Sequence, residues 1–433
     1  MMGSIADRPD RGTLMRYSGF YLFAVLALNF LVHLFAAMDK QILGVVLPQL
    51  KMELMLTDSQ LGLLSGAPFA ICYSVLSIPI AWLADTRFSR TGVVAVSLIA
   101  WSVLTALCGL AGSFLLLFIL RMGVGGGEAG AIPATYSLLT DTTSPRWRTR
   151  AIAMCSIGVA AGQASALALG GWSVQELGWR TTYVLVGAPG VIVALLYYFI
   201  IKEPPRQSIA TSRGSNRFLT DFRTLLTSPP FLLLTLSMAT GTSIIFAIGA
   251  WMPSYLQRTY ALTPLESGRA LGATLGLVAL VGPMGSAWLA DRLSVRDRTM
   301  MLRLAALFFA LCGVSYAAAF LTDNLTLCYI LTGVSLLLIA GTAPLGAIMA
   351  QEIEPSLKAS AMAAMMVGIN LIGHTLAPWI VGAISDATGS GPGQDGLRWG
   401  LVALAPLLIV AALCAWLTAN ILRRRPMETA PAA

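Results

Sequence analysis

Four ionisable residues stand in stretches of this chain that otherwise read as hydrocarbon: Asp39 and Lys40 in AAMDKQILGVVLPQL, and Arg121 and Glu128 in RMGVGGGEAG. A charge at bilayer depth costs about 2.5–3.5 kcal/mol on insertion scales, so it faces a partner or a water-filled cavity. At about 1.5 Å per residue, counting inward from Lys51 puts Asp39 roughly 17 Å deep, and counting from Ser113 on the same side puts Arg121 roughly 12 Å and Glu128 roughly 22 Å deep. Asp39 falls between the other two. Arg121 and Glu128 are two turns apart on one helix face. Arginine keeps its charge, so a cation between two acids forces the acids to exchange protons as the cavity wets and dries. The spacing predicts proton coupling at Asp39, Arg121 and Glu128; a static ion network that fixes helix packing is the other reading. Lys40, beside Asp39, is assigned to substrate.

The elements that hold these residues follow from composition. The chain has 433 residues, 57% hydrophobic and 11% charged, where a soluble domain carries about 25% charged residues. Runs of about 20 apolar residues span a bilayer. Twelve are marked, at 18–49, 59–84, 91–111, 114–140, 149–172, 180–201, 229–257, 265–290, 300–321, 325–350, 359–386 and 398–422. The expected fold class is an all-α membrane protein of twelve transmembrane helices in two six-helix halves related by duplication. Its parts are a tail at 1–17, a bundle at 18–202, a loop at 203–228, a second bundle at 229–422 and a tail at 423–433. Met1 to Arg16 is polar, and the apolar run after it is too long for a signal peptide.

Lys and Arg alternate in density along the loops. One side carries 21, among them Arg87, Arg90, Arg292 and Arg423 to Arg425; the other carries five: Lys51, Arg180, Arg258, Arg269 and Arg398. The positive-inside rule puts both termini in the cytoplasm, and a bacterial inner membrane is the expected site. The basic residues do not cluster on one element, so no nucleic acid is expected despite a pI near 9.4. The six cysteines are scattered through apolar segments without ligand spacing, which predicts no metal, cofactor or disulfide framework. No nucleophile motif is present, and two histidines serve the whole chain; an enzyme is not expected.

The chain repeats itself. LTDSQLG at 56–62 returns as LTPLESG at 262–268, and AWLAD at 81–85 as AWLAD at 287–291, both at an offset of 206. AWLADTRFSR at 81–90 resembles the signature between the second and third helices of the major facilitator superfamily, usually G-x-L-x-D-R-x-G-R-R. Asp85, Arg87 and Arg90 match it in type, while Ala81, Thr86 and Ser89 depart from it. AWLADRLSVR at 287–296 restores the Asp-Arg pair, and GWRTTY at 178–183 is also similar to that family. Over 36–190 the order of AAMDKQILGVVLPQL, LTDSQLGLLSGAPFAICYSVLSIPIAWLAD and LRMGVGGGEAGAIPATYSLLTD resembles the Spinster branch; relatives that carry organic acids share much of it.

That resemblance implies a monomeric transporter working by alternating access. It implies a cytoplasmic gate of Asp85, Arg87, Arg90, Asp291 and Arg292, in which each Asp faces a helix N-terminus of the other half, where the dipole favours an anion. The glycines of RMGVGGGEAG read as small-xxx-small packing pairs. Gly125, Gly127 and Gly130 also fit a dinucleotide fingerprint, which is rejected because no strand precedes it. His33 reads as a packing residue. His374, with Asn370 one turn earlier, is a substrate-binding candidate. Met362, Met365 and Met366 read as core filler that also suits a greasy ligand.

In the second half no Asp, Glu, Lys or Arg occurs in 229–257, 270–290, 304–322, 325–351 or 359–385. One cavity wall would be charged and the other apolar. Such a cavity suits an amphiphile, and with the Spinster likeness the reading is a proton-coupled carrier of a lysophospholipid or sphingoid-like lipid. An organic-anion/proton symporter is the alternative.

Overall fold

A computed structural model describes residues 19–144, 146–204, 224–294, 298–353, 357–389 and 396–423; all of their regular structure is helical. The first half contains α1 (Gly19–Leu54), α2 (Asp58–Thr86), α3 (Arg90–Cys108), α4 (Phe114–Glu128), α5 (Ala131–Thr142) and α6 (Arg148–Ile200). The second contains α7 (Pro229–Thr259), α8 (Pro264–Ser294), α9 (Arg298–Leu321), α10 (Leu325–Ala340), α11 (Pro344–Glu352), α12 (Lys358–Gly368), a π-helical segment (Ile369–Leu376), α13 (Ala377–Thr388), α14 (Gly396–Val402) and α15 (Ala405–Arg423).

Among the described residues, eleven stretches are long and apolar enough to cross a membrane. One of them, the 53-residue α6, would be roughly 80 Å long if straight, against about 30 Å of hydrocarbon. It turns at Gly178, whose φ of 79° lies outside helical space, so two crossings meet there and the total is twelve. Three expected single spans are broken instead: 114–140 between α4 and α5, 325–350 between α10 and α11, and 398–422 between α14 and α15. Each new helix carries a proline within its first three residues (Pro133, Pro344, Pro406), where the missing N–H and fixed φ suit a helix start. The 359–386 span is continuous but widens into the π segment before Pro378. Phe20, Leu110, Phe199 and Val314 are exposed on the outside, as hydrocarbon-facing surface requires.

The duplication has a physical content. Thr57 caps α2 and Gln60 returns the bond, a full capping box. In the copy, Thr263 Oγ1 accepts from the Glu266 backbone while the Glu266 carboxylate accepts from the Thr263 N–H. Two residues earlier, Met55 and Ala261 both take positive φ, 52° and 54°. The next glycine is a contact point between halves in both copies. A Cβ on Gly62 would lie 2.3 Å from the Pro378 carbonyl of α13, and one on Gly268 2.1 Å from the Leu167 carbonyl of α6. A non-glycine residue in the left-handed region costs about 1–2 kcal/mol, partly offset by the extra chain entropy glycine loses on folding. Ala261→Gly is therefore expected to stabilise the protein by about 0.5–1 kcal/mol, seen as a raised thermal midpoint in detergent; an unchanged or lowered midpoint contradicts the strain.

Candidate functional site

Asp39 and Lys40 are neighbours in α1, so their side chains leave the helix about 100° apart. Asp39 points into the first bundle, where its residue is 2% exposed. Arg121 Nη1 of α4 donates to its Oδ2 at 2.9 Å, and Thr105 Oγ1 of α3 donates to its Oδ1 at 2.5 Å. Lys40 points the other way, to the cavity, and pairs with Glu128 at the end of α4. Its ammonium sits 5.1 Å from the Phe69 ring centroid and 5.8 Å from that of Tyr73, both on α2. The expected row of one arginine between two acids is thus replaced by two ion pairs. Arg121 serves Asp39, and Lys40 serves Glu128. Arg121 Nε has no partner among the described residues, so Asp39 receives one arm of the guanidinium rather than its fork.

The glycines of the α4 motif bring this arrangement together. A Cβ on Gly125 would lie 2.4 Å from the Phe69 carbonyl, and one on Gly127 3.0 Å from the Trp101 backbone nitrogen. With hydrogen at those positions α4 presses on α2 and α3, which sets Glu128 against Lys40 and Arg121 against Asp39.

A cavity of about 250 Å³ lies between the halves. His33, Lys40, Gln41, Tyr73, Tyr136 and Gln163 give its first-half wall hydrogen-bonding groups, while Ile245, Phe246, Gly249 and Ala250 make the second-half wall apolar apart from His374. His374 lies in the π segment and stacks on Phe246 at 4.5 Å between centroids. Asn370 is engaged across the halves, donating from Nδ2 to Ser74 Oγ at 3.3 Å. His33, expected to be a packing residue, lines the cavity. Met365 is buried whereas Met362 and Met366 are exposed, so the three methionines do not form one surface.

At one end of the bundle the halves are tied by a group that the sequence reading missed. Asp58, fully buried, accepts from Arg258 Nη1 and Nη2 at 2.7 and 2.9 Å, from Lys51 Nζ at 2.7 Å and from Ser385 Oγ at 2.7 Å. Asp386 of α13 accepts from the backbone N–H groups of Asp58 and Ser59 at 2.9 and 2.8 Å. A carboxylate from one half therefore caps the N-terminus of a helix in the other, where unpaired N–H groups and the helix dipole both favour it. Backbone contact accompanies this lock: a Cβ on Gly66 would lie 1.7 Å from the His374 carbonyl, and one on Gly44 2.2 Å from the Gly249 carbonyl.

At the opposite end, Arg90 is buried inside the first bundle. It donates to Asp141 at 2.5 Å, to Glu203 at 2.9 Å and to Ser137 at 2.8 Å. Its described partners come from α5 and from the start of the loop that follows α6, and none of them belongs to the second half. Arg292 lies over the Trp288 ring at 4.6 Å and Arg87 is exposed at the end of α2. The side chains of Asp85 and Asp291 lie outside the described residues.

The chain is similar along nearly its whole length to proteins of one kind. It is 30% identical over 397 residues to an MFS-type efflux pump of Mycolicibacterium smegmatis, covering 90% of this chain and 91% of that protein. It is 31% identical over 318 residues to a probable sulfoacetate transporter of Cupriavidus necator, covering 67% of this chain and 70% of that one. A crystal structure of a bacterial homolog of the human lysosomal transporter Spinster, inward-facing and unoccupied, superposes with a TM-score of 0.84 at 27% identity, over 96% of this chain and 100% of that one. The Major Facilitator Superfamily profile matches residues 30–344. A match over so much of a duplicated twelve-helix chain settles the family: this protein belongs to the Major Facilitator Superfamily and is a transporter, not an enzyme.

Proposed function

We propose that this protein is a proton-coupled transporter that moves an amphiphilic molecule, a lysophospholipid or sphingoid-like lipid, by alternating access. One observation carries the reading: the cavity between the halves has a polar first-half wall holding the Lys40–Glu128 pair and an apolar second-half wall of Ile245, Phe246 and Ala250. Among the described residues that line the cavity, Lys40 is the cation available to a head group, with a side chain 38% exposed against 1% for Glu128. When an anion takes Lys40, Glu128 loses its counter-ion in a buried site, where the neutral acid is favoured. Substrate and proton then arrive together. Asp39 and Arg121 stand behind the wall and hold α1, α3 and α4 in register. In this reading the Asp58 end faces outward, the termini lie in the cytoplasm of a bacterium, and the described conformation is closed to the outside by the Asp58–Arg258 lock.

The test of cargo is competition against a labelled lysolipid in proteoliposomes, with single-chain lipids and small dicarboxylates at matched concentration. Competition by the lipids supports the reading. Competition by small acids alone supports the second reading, an organic-anion/proton symporter, which the sulfoacetate-transporter likeness favours.

The lock gives a separate expectation. Asp58→Asn takes the shared carboxylate from Arg258, 20% exposed, and from Lys51, 22% exposed, both already in reach of water. Removing the shared carboxylate weakens closure at this end and raises the outward-open fraction about five- to tenfold, the effect of one hydrogen-bonded charge pair of about 1–1.5 kcal/mol. Accessibility of a thiol at Ala37 to an impermeant reagent added outside reads this fraction, and unchanged labelling contradicts the lock.

A further inference from the structure

Among the described cavity residues, His33 has a ring nitrogen whose hydrogen-bonding sign is fixed by its surroundings and that is left without a partner. It lies on the Lys40 face of α1, two turns before it, roughly 10 Å along the axis. Its residue is 1% exposed and it lines the cavity. Nδ1 is 2.9 Å from the backbone carbonyl of Asn29. A carbonyl oxygen only accepts, so Nδ1 carries the hydrogen. In the neutral ring Nε2 is then an acceptor, it is buried, and no described residue donates to it. The ring is held in place edge-on to Tyr136, 5.2 Å between centroids at 66°, and α6 packs behind it, since a Cβ on Gly158 would lie 3.3 Å from the His33 Cβ. A fixed, buried acceptor is poorly matched by a ligand with no donor and well matched by one that brings an O–H or N–H.

We infer that His33 Nε2 accepts a hydrogen bond from a hydroxyl or ammonium group of the cargo, so that the cargo carries an acidic group for Lys40 and, apart from it, a hydrogen-bond donor for His33. This rests on the reading that the cavity takes the cargo, and it makes His33 a specificity residue rather than a proton carrier. The two cavity groups then sort head groups by chemistry. Lys40 requires negative charge, and His33 discriminates between heads of equal charge by whether they bear a donor.

The experiment uses the full-length protein in detergent and two single-chain probes with matched tails. A lysophosphatidylethanolamine carries both O–H and N–H donors. A 2-O-methyl lysophosphatidylcholine ether carries neither. Affinities are read by ligand-induced thermal shift for wild type, His33→Phe, which keeps a ring against Tyr136 but has no acceptor, and His33→Gln, which returns an amide oxygen near the Nε2 position. The wild type is expected to favour the ethanolamine probe by about tenfold or more. His33→Phe should lose that preference with little change for the methyl ether, and His33→Gln should recover part of it. A preference that survives His33→Phe overturns the assignment, as does an equal loss for both probes. If neither lipid binds wild type, the cargo reading has failed on its own, and the same three proteins are compared with gluconate against hexanoate. Lost discrimination there still supports His33, and identical behaviour of wild type and His33→Phe with both pairs overturns it.

Discussion

Asp39→Asn is expected to destabilise the protein by about 3–5 kcal/mol, the effect of breaking a buried ion pair from one side, under conditions where Glu128→Gln leaves it folded. Arg121 is 1% exposed and cannot shed its proton. Without the Asp39 carboxylate its charge has no water to turn to, and the one oxygen left on the amide cannot accept from both Arg121 Nη1 and Thr105 Oγ1 as the two carboxylate oxygens do. The Glu128 partner is different. Lys40 keeps a side chain 38% exposed to the cavity and two aromatic faces nearby, so its charge stays solvated when the acid becomes an amide. The stability change for Glu128→Gln should stay within about 1 kcal/mol, as for a partly hydrated pair. Thermal midpoints in detergent decide it. Equal destabilisation by both substitutions would mean that the Lys40–Glu128 pair is as structural as the pair behind it.

Gly66→Ala is the second large effect, and it acts on conformation. The added Cβ would sit 1.7 Å from the His374 carbonyl. That atom is backbone of the π segment and cannot rotate aside. Overpacking costs about 1–3 kcal/mol, and only the conformation with the Asp58 end closed bears it. The ratio of open to closed should therefore rise about 5- to 150-fold. The readout is outside labelling of a cysteine at Ala37, which lines the cavity, in a background lacking the six native cysteines. Gly112→Ala is the control, since nothing lies within 4 Å of its Cβ. Labelling that rises equally in both variants, or in neither, contradicts a closure that depends on backbone contact at Gly66.

Depth was readable from the sequence, and azimuth was not. Counting along the spans placed Asp39 between the levels of Arg121 and Glu128, because about 1.5 Å per residue converts position into height. Asp39 and Lys40 differ by one residue in height but point to different sides, and only packing against α3, α4 and the cavity says which acid meets which cation. The duplication was legible as LTDSQLG and LTPLESG. Its causes, paired capping boxes and two residues of positive φ, needed the backbone. The Asp58 lock was hidden because a polar residue at a span end reads as solvated; its burial comes from Arg258, Ser385 and Asp386, some two to three hundred residues away. The device itself, an Asp from one half on a helix N-terminus of the other, was anticipated at the Arg90 end for Asp85 and Asp291. The described example is Asp386 on α2, at the other end.

The central claim is that Glu128 couples substrate movement to protons through Lys40. Its most direct test is uptake of a labelled lysophosphatidylethanolamine into proteoliposomes with and without an imposed pH gradient, for wild type and Glu128→Gln at equal amounts of folded protein. Wild-type uptake should accelerate with the gradient and lose that acceleration when a protonophore collapses it, and Glu128→Gln should move lipid at one rate in both conditions. A Glu128→Gln protein that keeps the wild-type response to the gradient would contradict the account.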